Sequence, residues 1–234
     1  LPLTLYLLTF VLCFEGRGWY RRSLVTGPLV IALAMMAWGL NVRMRDTAIG
    51  VAVPVYAVGF FLCCMFLHGE LSLRRPAPGH LTRFYLCLSL GGALGGLLVS
   101  VAAPLWMNSF YELPLGLILT AGLMLWLLWG YLTANKAAYL LLAIALASTA
   151  LTVTMAWVFH VRQTQDSVVM VRNFYASSRV AQTEDGQGHP MRALLNGAIL
   201  HGTQIQSEGL STTPTTYYGA NSGVALAMLL LPPP

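Results

Sequence analysis

Apolar runs broken by short polar gaps fill the first two thirds of the chain. They lie at about 1–14, 23–41, 47–67, 82–106, 113–132 and 137–159. A helix needs about 20 apolar residues to cross the hydrocarbon of a bilayer. The first run is shorter than that, and reads as a truncated span. The pattern therefore predicts about six transmembrane helices. From His160 onward the apolar runs are too short to cross.

The period changes in the tail. "SVVMVRNFYASSRVAQT" is rich in Val, Phe and Tyr and reads as one or two strands. "EDGQGHP", from Glu184 to Pro190, clusters turn formers. In "MRALLNGAILHGTQ" the pair Asn196-Gly197 separates two apolar runs. Asn-Gly at the centre of a two-residue turn tolerates positive φ at both positions, which predicts a hairpin. "TTYYGANSGVALAMLLL" starts polar and becomes an apolar helix. The expected fold is mainly α: a polytopic transmembrane domain over 1–160, then over 161–234 a small β-hairpin domain and a C-terminal helix.

Composition agrees with the pattern. The 234 residues are 57% hydrophobic and only 9% charged, and the mean hydropathy is +0.68. Soluble domains carry roughly a quarter charged residues. So little charge cannot coat a water-facing surface, and the lipid bilayer is the expected solvent for most of the chain. An integral protein of a bacterial inner membrane is the expected localisation. The chain starts at Leu1 inside an apolar run and ends on Pro232, Pro233 and Pro234, so it reads as a piece of a longer protein.

The net charge of +5 does not point to nucleic acid. Arg17, Arg21, Arg22, Arg43, Arg45, Arg74, Arg75 and Arg83 all lie in gaps between apolar runs, where positive charge orients membrane proteins. No basic stripe with interleaved aromatics occurs elsewhere. The first and third gaps read as cytoplasmic and the fourth, "NSFYELP", as external. Counting on from there places the tail outside.

Candidate chemistry in the apolar part is sparse. Cys13, Cys63, Cys64 and Cys87 sit inside apolar runs, without the spacing of a metal or disulfide framework. They read as small helix fillers. The five histidines show no paired ligand spacing, so no metal site is expected. "SLGGALGGLLVS" sets Gly91 four before Gly95 and Gly92 four before Gly96, a smooth face suited to close helix packing. Glu70 and Glu112 lie at span ends, where water is expected to reach them. Midplane charges typical of a transporter are lacking. Pro54 and Pro104 are candidate kinks.

The run "VRNFYASSRVAQTEDGQGHPMRALLNGAILHGTQ", followed by "PTTYYGANSGVALAM", resembles the start of the soluble part of membrane-fused spermidine synthase-like proteins. "HGEL…RRPAPGHLTRFYLCLSLGGALGG" and "NSFYELPLGL" resemble the anchor helices of the same proteins. The resemblance implies an N-terminal β-domain that precedes a Rossmann-like domain binding decarboxylated S-adenosylmethionine. It further implies that Gln204 contacts the aminoalkyl part of that nucleotide. Tyr217 or Tyr218 would line the substrate cleft, with His201 as a neighbour.

Two departures stand beside this. Asn196 occupies the turn position that is usually acidic in the soluble enzymes, and Gly219 follows Tyr218 in place of a His-Glu pair. The tail holds no glycine-rich nucleotide loop, and its only carboxylates are Asp166, Glu184, Asp185 and Glu208. No catalytic residue is assigned, and the chain is expected to be inactive alone. A use of decarboxylated S-adenosylmethionine also needs the tail in the cytoplasm, against the arginine count.

Three functions follow in order. The first is a membrane-anchored spermidine synthase-like protein lacking its catalytic domain in this chain. The second is a non-catalytic accessory subunit packed against other membrane protein subunits. The third is a small-solute transporter.

Overall fold

A computed structural model describes residues 1–15, 18–42, 48–130, 136–197 and 199–230. Arg17, Arg43 and Arg45 of the orienting set, residues 131 and 132 of one apolar run, and Pro232, Pro233 and Pro234 lie outside them. The helices are α1 (Pro2–Glu15), α2 (Arg22–Gly39), α3 (Ile49–Leu73), α4 (Leu81–Leu97), α5 (Ala103–Trp106), α6 (Glu112–Trp129), α7 (Lys136–Thr164) and α8 (Gly223–Leu230). The strands are β1 (Ser167–Arg172), β2 (Ser177–Glu184), β3 (Pro190–Asn196) and β4 (Ile199–Ile205).

Among the described residues, five helical segments are long and apolar enough to cross a membrane: Arg22–Gly39, Ile49–Leu73, Pro78–Trp106, Glu112–Trp129 and Tyr139–Thr164. This is one fewer than the run pattern predicts. α1 is helical but has only 14 residues, so it extends about 21 Å against a hydrocarbon core of about 30 Å. The chain divides into two compact units, one comprising Leu1–Leu94 with Glu112–His160 and the other Gly95–Tyr111 with Val161–Pro234.

The first unit is built on α2 and α3. Leu29, Leu33, Met36 and Ala37 of α2 pack with Phe66, Cys63 and Met65 of α3, and Leu117, Ala121 and Met124 of α6 complete the same core. Glycine leaves room at the contact: a Cβ at Gly59 would stand 2.2 Å from the Met36 sulfur, and the Met36 side chain would have to move to admit it. Polar side chains also bond across helices. Ser148 Oγ donates to the Val30 carbonyl at 2.8 Å, and Asn41 Nδ2 to the Met155 carbonyl at 2.8 Å. Cys13, Cys63 and Cys64 are buried, as expected of small fillers, whereas Cys87 on α4 is exposed.

The second unit joins the end of one span to the tail. Five residues of π-helix, Leu98–Ala102, precede α5. Pro104 lacks the N–H that an α-turn would offer to the carbonyl four residues back, and the wider turn meets that break. The tail is a four-stranded antiparallel meander in the order β1-β2-β3-β4. "SVVMVRNFYASSRVAQT" thus yields two strands, and the domain is larger than one hairpin. Ala181 and Ala193, paired across β2 and β3, are buried on one face. Val169, Val171, Leu194 and Ile199 are exposed, as alternation in the ladder requires of the other face.

The hairpin forms one residue away from the expected centre. Asn196 pairs with Ile199 as the last rung of β3 and β4, and Gly197 follows it at φ +57. Asn196 therefore holds a strand position, while glycine takes the left-handed one that it occupies without steric cost.

Candidate functional site

The tail residues singled out by the sequence lie on β4 and on the turn that follows it. Between Leu194 and Leu195 the ladder register shifts: Leu194 pairs with Gly202 and Leu195 with Leu200. His201 is thus the extra residue of a β-bulge, and it is exposed. Bulges re-aim side chains and are frequent beside active sites. Gln204, three residues on, sits opposite Arg192 and is also exposed. Its Nε2 donates to the Ser211 carbonyl at 3.4 Å, and its Oε1 accepts from Gln206 Nε2 at 3.1 Å.

Tyr217 and Tyr218 belong to a 3₁₀ turn, Thr216–Tyr218, held beside β4. The clasp is a pair of threonines. Thr203 Oγ1 donates to Thr215 Oγ1 at 2.9 Å, and the Thr215 hydroxyl donates in turn to the Thr203 carbonyl. Thr216 has φ +51, the single non-glycine residue with positive φ among those described. For a β-branched residue this conformation is strained by about 1–3 kcal/mol and persists only where its surroundings enforce it. Both tyrosines are exposed rather than packed under the sheet.

The structure thus brings His201, Gln204, Tyr217 and Tyr218 to one strand and its neighbouring turn. Together they offer an imidazole, an amide and two phenols. Groups of these types both donate and accept hydrogen bonds. Among the described residues no group of three or more His, Cys, Asp or Glu stands close enough to hold a metal.

A second polar site, in the helical unit, was not legible as such. Glu70 is 3% exposed rather than reached by water. Its carboxylate accepts from Tyr20 Oη at 2.8 Å, from Nε and Nη2 of Arg22, and from Nη1 of Arg74 at 3.0 Å. Four donors fill the four lone-pair directions of a carboxylate. A saturated, doubly paired carboxylate is a clamp and not a proton carrier. It ties the start of α2 to the end of α3.

Gly69 makes the clamp possible: a Cβ there would stand 2.2 Å from the Tyr20 ring. Burial, and then the bond to Glu70, push the Tyr20 phenol well above its ordinary pKa, so it remains a donor. The i, i+4 spacing of Glu70 and Arg74 was visible in the sequence. The approach of Arg22 at the start of α2, and of Tyr20 just before it, was not. Glu112, the other span-end carboxylate, is partly exposed.

The glycines of α4 have open surroundings. A Cβ at Gly91, Gly92, Gly95 or Gly96 would meet nothing within 4 Å, and no residue of α4 is buried. Comparison with known proteins finds no matching family model, no matching curated protein and no matching solved structure.

Proposed function

We propose that this chain is the membrane anchor and amino-terminal β portion of a spermidine synthase-like aminopropyltransferase. On this reading it works as an integral protein of the bacterial inner membrane. The supporting observation is the clasp between β4 and the Thr-Tyr-Tyr turn. It holds the Thr-Tyr-Tyr turn, with its two exposed tyrosines, beside the strand that carries His201 and Gln204, and Thr216 keeps a strained conformation there. Strain kept at a polar, exposed turn is more economically explained by a ligand-facing role than by folding, since a glycine would relieve it.

In this role Gln204 and a tyrosine hydroxyl bind and orient an amine or the aminoalkyl chain of decarboxylated S-adenosylmethionine. Aminopropyl transfer needs in addition a base that takes the amine proton and a loop that holds the nucleoside. Neither is assigned to a residue of this chain, so residues 1–234 alone do not turn over.

The test is polyamine synthesis by the protein purified from its native membranes, with intact mass measured on the same sample. Spermidine is expected from putrescine and decarboxylated S-adenosylmethionine in the native form and not with residues 1–234 alone. Gln204→Ala and Tyr217→Phe are expected to raise KM for the nucleotide or amine more than they lower kcat. A native form with no added mass and no transfer sinks the reading.

The open glycine face of α4 favours a second reading, in which the chain is an accessory subunit and α4 packs against another membrane protein. The filled coordination of Glu70 counts against the transporter.

A further inference from the structure

The turn between β1 and β2 carries the most exposed large apolar side chain among the described residues. Tyr175 is 90% exposed and Phe174 beside it 72%. Soluble turns seldom present two adjacent rings to water, because each removes 150 Å² or more of apolar surface when covered.

Asn173 builds this turn. Its Oδ1 accepts the backbone N–H of Tyr175 and of Ala176, each at 2.9 Å, and its own N–H donates to the Ala176 carbonyl at 2.9 Å. The turn thus satisfies much of its own backbone while both rings stand clear, edge to face with centroids 5.8 Å apart. Satisfied backbone is what a segment needs in order to enter a medium poorer in water.

The turn is fastened to a span end. Arg172, at one foot, donates from Nη1 to the Ser109 carbonyl at 2.7 Å, and its guanidinium lies 4.6 Å from the centre of the Phe110 ring. Ser177, at the other foot, donates to the Asn108 carbonyl at 3.2 Å. Asn108 is two residues beyond Trp106, where the span Pro78–Trp106 ends. Trp106 is itself 81% exposed. A second span ends at Thr164, and β1 begins at Ser167. Span parity agrees, since two crossings separate the 107–111 segment from the tail and return the chain to the same side.

We propose that the Phe174–Tyr175 turn inserts into the lipid interface next to Trp106 and Phe110, as a monotopic foot that sets the height of the sheet over the bilayer. Tyr and Trp favour this level because their apolar rings leave water while hydroxyl and indole N–H remain among the headgroups. Phe174 enters deeper, having no polar handle. The occupant is lipid and not a partner protein, because the turn is bonded to a segment continuous with a lipid-facing helix end. The foot does not depend on the proposed enzymatic role.

The test uses the full chain with Cys87→Ser, reconstituted in vesicles of phosphatidylcholine and phosphatidylglycerol. Spin labels are placed at Tyr175→Cys, at Phe174→Cys and, as a control on the β2–β3 turn, at Gln187→Cys. At 175 and 174 the ratio of collision rates with oxygen and with a water-soluble nickel chelate is expected to be several-fold above that at 187. The two foot positions report independently, so one misfolded variant does not empty the test. Equal water access at all three positions overturns the proposal. Shielding of 174 and 175 from both reagents also overturns it, since protein would then cover the turn.

Discussion

Glu70 shows how much one residue can decide inside an apolar bundle. Three side chains converge on a carboxylate that is almost fully buried, and each comes from a polar position at the boundary of a helix. Removing one partner of a buried pair costs more than the pair contributes, because it leaves the other charge without compensation. Glu70→Ala removes the nearly buried carboxylate to which Arg22, with its side chain 20% exposed, donates twice, and is expected to destabilise the helical unit by about 3 kcal/mol. Arg74 is half exposed, so Arg74→Ala is expected to cost under about 1 kcal/mol. Denaturation of the purified chain by SDS, followed by circular dichroism, separates the two. Equal losses would show that Glu70 is not a clamp.

Each element in the tail is set by its turn. The β2–β3 turn is organised by Asp185. Its Oδ1 accepts the N–H of Gln187 and of His189, each at 2.8 Å, and its Oδ2 meets His189 Nδ1 at 2.8 Å. The His189 side chain first, and then the backbone N–H groups, hold the Asp185 carboxyl below the ordinary aspartate range. A depressed native pKa means that the turn's contribution is complete above the ordinary aspartate value and is lost as pH falls through the lowered one. The side-chain carboxyl carbon of Asp185 is therefore expected to keep the shift of an ionised group at mildly acidic pH and to show protonation only in stronger acid. Protonation of that carboxyl at or above the ordinary aspartate range would contradict the assignment. The cluster "EDGQGHP" made a turn legible, but which carboxylate would organise it was not, since Glu184 and Asp185 are adjacent and only the register separates them.

At the scale of the molecule, the side of the membrane that the sheet occupies decides between the functions. The 107–111 segment and the sheet are hydrogen-bonded, so Cys placed at Asn108 and at Gln187 are expected to react with an impermeant maleimide from the same side of sealed vesicles. Labelling from the cytoplasmic side supports use of decarboxylated S-adenosylmethionine. Labelling from the outside agrees with the arginine count and leaves the accessory subunit. Opposite-sided labelling of the two positions would break the span assignment itself.

Hydrophobic runs, charge poverty and turn formers determined the helices, the change of period near His160 and the antiparallel tail, because these depend on local pattern and on the length needed to cross lipid. Local pattern also left two small differences: the count of about six included α1, the short run read as a truncated span, and Asn-Gly looked central until the ladder moved it by one rung. Only the tertiary structure decided that Glu70 is clamped, that His201 sits on a bulge, that Thr216 is strained and that the Phe174–Tyr175 turn is tied to a span end. Each of these joins residues far apart in the chain or rests on backbone geometry. Composition and periodicity do not encode which distant groups meet.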